Sequence, residues 1–356
     1  MKRGTIFVGI AAYNEEDLVN TIQTALEKAS NKDDIYIGAV LQYTDGNFPD
    51  LSPYPSVKVI KNSEATGLGL GVARGLSVSL YDDEEYYLQI DAHTVFKTNW
   101  DVILKNNYEK LKKTYGKSII SCYTPYYYKD LKTNKNITMV NNKEWEAYYP
   151  SWSLVSKSSP RALGMEDKET YYKFAYAVEA LDSPAPARAN FNDDGYEEQY
   201  FISGHFLFTS SSFIKDIQYD PMLAYHEENA IALLAWTRGY RIFNMRDHVL
   251  WTRAMNAENA KDVQNSWREN FIKKDNNGTC FRDKVILGTL RNKDILTGKI
   301  LGNSGAPTQE LLDLYEKTAG LDYKKFYKDM YDMVEKTGNK YPAASALYDL
   351  DRITND

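Results

Sequence analysis

The chain has 356 residues, 43 % hydrophobic and 26 % charged, enough apolar material for one large core or for one domain with an extension. Its 49 acidic residues outnumber 43 basic ones for a net charge of −6, which argues against a nucleic-acid partner or a general attraction to anionic membrane. No run of ~18 apolar residues occurs, and the apolar stretch that starts at Thr5 follows only MKRG, so neither membrane insertion nor a signal peptide is expected, and the location expected is cytoplasmic.

In chain order, a strand is predicted from Thr5 to Ala11, then a helix over about 15–29 with Leu18, Ile22, Ala25, Leu26 and Ala29 on one face. DIYIGAVLQY reads as a strand buried on both faces, and VKVIKN as a short strand. A glycine-rich entry, TGLGLGVARG, opens a second helix, and EYYLQID is a further strand. Trp100 to Tyr115 forms a helix, and KSIISCY a strand. This alternation predicts a mostly parallel sheet flanked by helices, the α/β class. Residues 124–200, rich in Tyr, Trp, Lys and Asn, read as loops and short elements over the sheet rather than sheet itself. Regular pattern returns with YFISGHFLF, the helix EENAIALLAWTRG closed by Gly239, and the short strands YRIFNM and HVLWTR. Trp236 is assigned to core packing. Four further helices are predicted, over about 262–273, 283–290, 308–318 and 323–337. The expected division is a catalytic domain over 1–255, with 124–200 a variable insertion on the acceptor side, and a helical extension over 256–356. Phe326, Met330, Met333 and Val334 share one apolar face, suited to docking on the catalytic domain or to a homo-oligomer contact. Cys122 and Cys280 read as ordinary thiols.

In an open parallel sheet, ligands bind beyond the carboxyl ends of the strands. Asp91 stands at such an end in YYLQIDAHTVF. Residues two apart in extended chain project to the same side, so Asp91 and His93 converge with Ala92 turned away. A carboxylate and an imidazole suit Mn²⁺ or Zn²⁺ better than Ca²⁺ and leave positions for a diphosphate. The competing reading is a capping aspartate beside a surface histidine. AAYNEE, after the first strand, faces the same crevice, and the Gly67, Gly69, Gly71 run brings Arg74 toward it, though this matches neither a P-loop nor a dinucleotide fingerprint.

The pieces IFVGIAAYNEEDLVNTIQTALEKA, YYLQIDAHTVF, SGHFLFTSSSFI and YDPMLAYHEENAIALLAWTRGY occur in an order that resembles the GT-A fold glycosyltransferases. The chain is most similar to glycosyltransferase family 60, the polypeptide N-acetylglucosaminyltransferase type, and more distantly to the polypeptide N-acetylgalactosaminyltransferases, over roughly residues 5–255. The resemblance implies that Asp91 and His93 form a DxH pair holding Mn²⁺, with Mg²⁺ as the alternative, and that His248 completes the metal site. It implies donor contacts for a UDP-sugar from Ala11, Tyr13, Glu15, Gln42, Arg74, Gly204, His205 and Arg253, with Arg246 a further cation beside His248. Gln42 stands where relatives carry a base-binding aspartate, and Asp45 is the nearby substitute. Glu227 and Glu228 take the catalytic carboxylate places, and His226 stands where glycine is usual. These relatives retain anomeric configuration. The acceptor, on a protein or a glycan, is expected across 124–200, where Tyr126, Tyr127, Tyr128, Trp145 and Trp152 offer rings.

The expected activity is metal-dependent transfer of GlcNAc, GalNAc, Glc or Gal from UDP to a hydroxyl. A sugar nucleotidyltransferase would carry a basic glycine-rich signature after the first strand, where this chain has AAYNEEDL. A non-catalytic carbohydrate-binding module is the other alternative. A zinc hydrolase is disfavoured because HEEN lacks the second histidine of H-E-x-x-H.

Overall fold

The computed structural model describes residues 1–63, 67–122, 124–129, 136–138, 148–151, 185–188, 192–224, 227–253, 278 and 281–337. Its first half alternates as expected: β1 (Lys2–Tyr13), α1 (Leu18–Lys28), β2 (Ile35–Gln42), β3 (Val57–Asn62), α2 (Leu70–Val78), β4 (Glu84–Asp91), β5 (Thr94–Phe96), α3 (Trp100–Tyr115) and β6 (Ser118–Ile120). Short strands β7 (Tyr126–Lys129), β8 (Asn136–Thr138), β9 (Tyr148–Ser151), β10 (Ala185–Arg188) and β11 (Tyr196–Gln199) follow. After them come β12 (Phe206–Ser210), α4 (Ser212–Asp216), α5 (Glu228–Thr237), β13 (Arg241–Met245) and β14 (Leu250–Arg253). Three helices end the described chain: α6 (Phe281–Leu296), α7 (Gln309–Ala319) and α8 (Tyr323–Thr337). The helix expected over 262–273 lies outside the described residues.

The main sheet has eight strands in the order β11-β13-β6-β12-β4-β1-β2-β3. β3, β2, β1 and β4 are parallel neighbours, and β13 is parallel to β6. β12 runs antiparallel to both β4 and β6. This reversal places the start of β12, with Gly204 just ahead of it, at the same rim as the carboxyl end of β4. Alternation in β1 sends Ile6, Val8, Ile10 and Ala12 into one core layer with Leu18, Ile22 and Ala25 of α1 and Trp100 and Leu104 of α3. Phe7 faces the opposite layer, with Ala230, Leu233 and Leu234 of α5. That second layer also takes in Leu296, Leu312, Tyr315, Tyr323 and Phe326, so the C-terminal helices bury their apolar faces in the same core as the sheet. Trp236 packs at a tilt against Tyr315, ring centroids 5.5 Å apart.

Two expectations need correction. β11, inside the segment read as loop, pairs antiparallel with β13 at the edge of the main sheet, and β7 and β8 join β5 and β14 in a separate four-stranded sheet. Strands of three or four residues are too short for a period of two to register, which is also why β5 escaped notice. Tyr127, offered above as an acceptor-binding ring, is fully buried, and its hydroxyl donates to Asp17. The side chains of Tyr126, Tyr128, Met330, Met333 and Val334, together with Trp145, Trp152, His226 and Cys280, lie outside the described residues. Among the described residues no helix is long and apolar enough to cross a membrane.

Candidate active site

The rim begins where β1 and β4 end side by side, Ala11 opposite Asp91 in the ladder. A parallel neighbour with a one-carbon side chain leaves the Asp91 carboxylate room above the sheet, and it is 35 % exposed. After β4 the chain bends, and His93, 34 % exposed, turns back so that its Nε2 stands 3.7 Å from Asp91 Oδ2. Its other nitrogen, Nδ1, is 2.8 Å from Glu15 Oε2. Burial pulls the His93 pKa down, but the hydrogen bond to Glu15 and the charges of Asp91, Glu15 and Asp17 outweigh it and lift the value to about 9. Carboxylates therefore crowd this imidazole. Asp17, fully buried at the start of α1, pairs with Arg253 Nη1 at 2.9 Å.

This corner fits a divalent cation in two respects. It pairs a carboxylate oxygen with an imidazole nitrogen, and a second carboxylate orients the imidazole from behind, the arrangement usual for a metal-bound histidine. The expected third ligand is not at hand. β14 pairs antiparallel with β5, Leu250 opposite Phe96 and Thr252 opposite Thr94. The same register puts Arg253 beside His93, where its N–H donates to the His93 carbonyl at 3.0 Å. His248 precedes β14, on the far side of Leu250 from Arg253. Asp247 and Lys97 supply the charges acting on it. Among the described residues no group of three His, Cys, Asp or Glu could share a metal ion.

The second part of the site is buried. The Gly67 to Gly71 run forms a tight turn, Gly67 and Gly69 at φ +65° and +85°, conformations that a β-carbon disfavours. The turn starts α2 and carries Arg74 inward, where it is 5 % exposed. Arg74 Nη1 donates to Glu227, Nη2 donates to the Gly204 carbonyl at 2.9 Å, and Asp91 Oδ1 is 3.7 Å away. Glu227 is 2 % exposed, and among the described residues its Oε2 has no hydrogen-bond partner. Glu228 Oε1 accepts the Gly204 N–H at 2.5 Å. Burial raises the Glu228 carboxyl to about 7 against the pull of the Gly204 N–H and the Arg74 charge, with Asp91 adding to the rise. A β-carbon on Gly204 would meet both Arg74 terminal nitrogens and Glu228 Oε1 at 3.1 Å, so any side chain there would press on this cluster.

The other predicted donor contacts are distributed around these two parts. The Tyr13 ring lies against Gly67. Gln42 is buried and committed, accepting the Leu68 N–H at 2.6 Å and donating to the Ala12 carbonyl at 3.5 Å, so it props the glycine turn. Asp45 accepts from the Asn47 N–H in its own exposed turn. His205 accepts the Thr124 N–H at Nε2, 3.2 Å, and holds Ser203 Oγ at 2.8 Å from Nδ1; burial lowers its pKa to about 4, so the ring is neutral near pH 7. Arg246, exposed at the end of β13, lines a separate acidic hollow with Asp193, Asp194 and Asp247. Sequence reasoning passed over Gln89. This buried amide donates to the Gly204 carbonyl at 2.7 Å and accepts from Tyr219 OH. Its signal was available: a polar residue two places before Asp91 in an apolar strand points the same way as Asp91.

The profile of the family described as Glycosyltransferase (GlcNAc) matches residues 54–297, more than half of the chain. No curated protein matches. Among solved structures, that of GalNAc-T7 with UDP, GalNAc and Mn²⁺ superposes with a TM-score of 0.50 at 14 % identity, covering 93 % of this chain and 58 % of that one. The chain thus spans less than two thirds of the length of that relative. S. aureus TarS in complex with UDP-GlcNAc gives a TM-score of 0.41 at 12 % identity, over 96 % of this chain and 83 % of that one. The architecture, a mostly parallel sheet flanked by helices, is similar to that of GT-A glycosyltransferases.

Proposed function

From the premise that this chain belongs to the Glycosyltransferase (GlcNAc) family, we propose that it is a metal-dependent, retaining transferase that moves a sugar from UDP to a hydroxyl of a protein or glycan. The observation that carries the reading is the convergence of Asp91, His93 and Arg74 at one rim, with Glu15 behind His93 and Glu227 behind Arg74. Asp91 and His93 would hold Mn²⁺, or Mg²⁺ in its place, and the bound ion would supply a Lewis acid facing the donor diphosphate. The assignment to family 60, next to the polypeptide N-acetylgalactosaminyltransferases, belongs to this proposal. The family description names GlcNAc, which puts UDP-GlcNAc ahead of UDP-GalNAc, UDP-glucose and UDP-galactose.

In this reading the donor lies across the rim. Tyr13 and the turn propped by Gln42 take the nucleotide, and Ala11 leaves space above the sheet. Arg74, already tied to Glu227, stands 3.7 Å from Asp91 and keeps positive charge beside the growing negative charge of the leaving group. Glu227 Oε2, a buried acceptor unused among the described residues, and Glu228, held on Gly204, face the sugar hydroxyls. The bond from the anomeric carbon to the β-phosphate oxygen breaks with its electron pair going to UDP. The acceptor oxygen bonds to that carbon from the same face, and its proton passes to the departing phosphate. Arg253 serves chiefly to neutralise Asp17 behind His93.

The test is UDP release from a panel of the four UDP-sugars, with Mn²⁺ and with excess chelator. Release from one preferred donor, abolished by chelator and restored by Mn²⁺, is expected. Equal release in chelator removes the metal from the mechanism, and an inverted anomeric proton coupling in the product's NMR spectrum removes retention.

A further inference from the structure

Glu227 and Glu228 enter the site on a segment that is not itself a strand of the sheet. Residues 219–224 lead toward them, and the Tyr219 hydroxyl is fixed on Gln89. The carbonyls of Leu223 and Ala224 accept the N–H groups of Gly71 and Leu70, each at 2.8 Å, so the first turn of α2 docks on this strap. On that side a β-carbon at Gly71 would come within 2.1 Å of the Asp220 carbonyl oxygen. On the other side lies α6, where a β-carbon at Gly288 would come within 2.8 Å of the Met222 carbonyl oxygen. The strap is therefore pressed between two helices, with glycine at both contacts.

Two side chains of α6 reach past the strap. Lys284 Nζ donates to the Gly67 carbonyl at 3.0 Å, in the turn that the Tyr13 ring and Gln42 touch from the nucleotide side. Arg291 Nε donates to Asp220 Oδ2 at 2.7 Å on the strap itself, and both groups are largely buried. Lys284, Gly288 and Arg291 stand at helical spacings of four and three residues, so they share one face of α6. The family profile also extends through α6 and ends at residue 297.

We propose that Lys284 and Arg291 are positioning residues of the transferase site, Lys284 setting the glycine turn over the nucleotide and Arg291 setting the strap that delivers Glu227 and Glu228. The proposal rests on the donor-site reading above. It makes α6 part of the catalytic unit, inside the region expected to be an extension. It also assigns the two pegs different kinetic signatures. Lys284 acts where ground state and transition state bind the nucleotide alike, and Arg291 acts on the carboxylates at the reacting sugar.

The experiment is steady-state release of UDP from UDP-GlcNAc by the full chain, with Tm measured for each variant. Lys284→Met is expected to raise the donor KM about tenfold with kcat within about threefold of the wild type, and Lys284→Arg to restore it. Arg291→Met is expected to lower kcat about tenfold with KM within about threefold, and Arg291→Lys to recover most of the loss. A merely structural role would lower active fraction and Tm in both variants and leave KM alone, and that result overturns the proposal. Wild-type KM and kcat in both variants overturn it as well, while the donor-site reading stands. A wild-type chain that turns over none of the four UDP-sugars overturns that reading and the positioning roles of Lys284 and Arg291 together. Should Arg291→Met fail to fold, the Lys284 pair alone decides by its KM.

Discussion

The two halves of the crevice solve opposite electrostatic problems. Around His93, the carboxylates of Asp91, Glu15 and the buried Asp17 meet one imidazole and one guanidinium, with Asp91 and His93 themselves about a third exposed. Around Arg74, the charges are buried and spent on one another, with Gly204 gripped by Arg74 and Gln89 at its carbonyl and by Glu228 at its N–H. The first half is an open, negatively biased corner that a cation would complete. The second is a packed cluster whose geometry is set before any ligand arrives. A transferase needs both, because a leaving group is best met by charge that does not have to reorganise.

The largest expected effect separates the halves by chemistry. Asp91→Ala should lower kcat/KM by at least about a hundredfold and remove any response to added Mn²⁺, with little change in Tm, since the carboxylate is partly exposed. UDP release against metal concentration checks this. Arg74→Met should also lower activity, but unlike Asp91→Ala it should leave Glu227 as a buried unpaired carboxylate and lower stability by about 3–5 kcal/mol in urea unfolding. Arg74→Met with Glu227→Met should recover part of that loss. If Arg74→Met proves no less stable than Asp91→Ala, the contrast between a packed and an open half is wrong.

Smaller effects sharpen the contrast. Glu15→Gln should weaken Mn²⁺ affinity about 10- to 100-fold while preserving some activity at saturating metal, since Glu15 orients His93 rather than binding the ion. The Glu228 carboxyl, raised to about 7, stays protonated in the folded chain over a range in which the unfolded chain has already released that proton. Its contribution to stability is therefore full below about pH 4.5 and is lost as pH rises toward 7. Thermal melts from pH 5 to 8 should show a fall in wild-type Tm that is shallower in Glu228→Gln. The least effect is expected from His248→Ala, with Mn²⁺ affinity changed by less than about threefold, because the charges acting on it are those of Asp247 and Lys97, and among the described residues no three ligating groups share a site. A collapse of metal affinity in that variant would bring His248 back to the ion.

What could be read from the sequence divides along the same line. The convergence of Asp91 and His93 was legible because strand ends and a period of two are local properties, whereas Glu15, expected as a donor contact, is hydrogen-bonded to His93. Arg74 was legible because glycines announce a turn. The place of His248 could not be read because it depends on how β14 docks on a three-residue strand, β5, that carries no periodic signal. Gln89 and Tyr219 meet across 130 residues of sequence, and no local pattern brings them together. The C-terminal helices were found as helices, yet their burial in the core beside Phe7 and Tyr87 depends on tertiary packing that an amphipathic face alone does not specify.

The reversed strand β12 has a consequence for when the protein becomes competent. It delivers Gly204 to Arg74 across 130 residues, and α5 then brings Glu227 to the same arginine across 153. Contacts of such separation close slowly and late, because the loop entropy is lost before they form. A nascent chain that has made only its first hundred residues holds Asp91, His93 and Arg74 but neither Gly204 nor Glu227, to which Arg74 donates. The crevice therefore matures at the end of folding, when the last-made parts of the sheet reach the first.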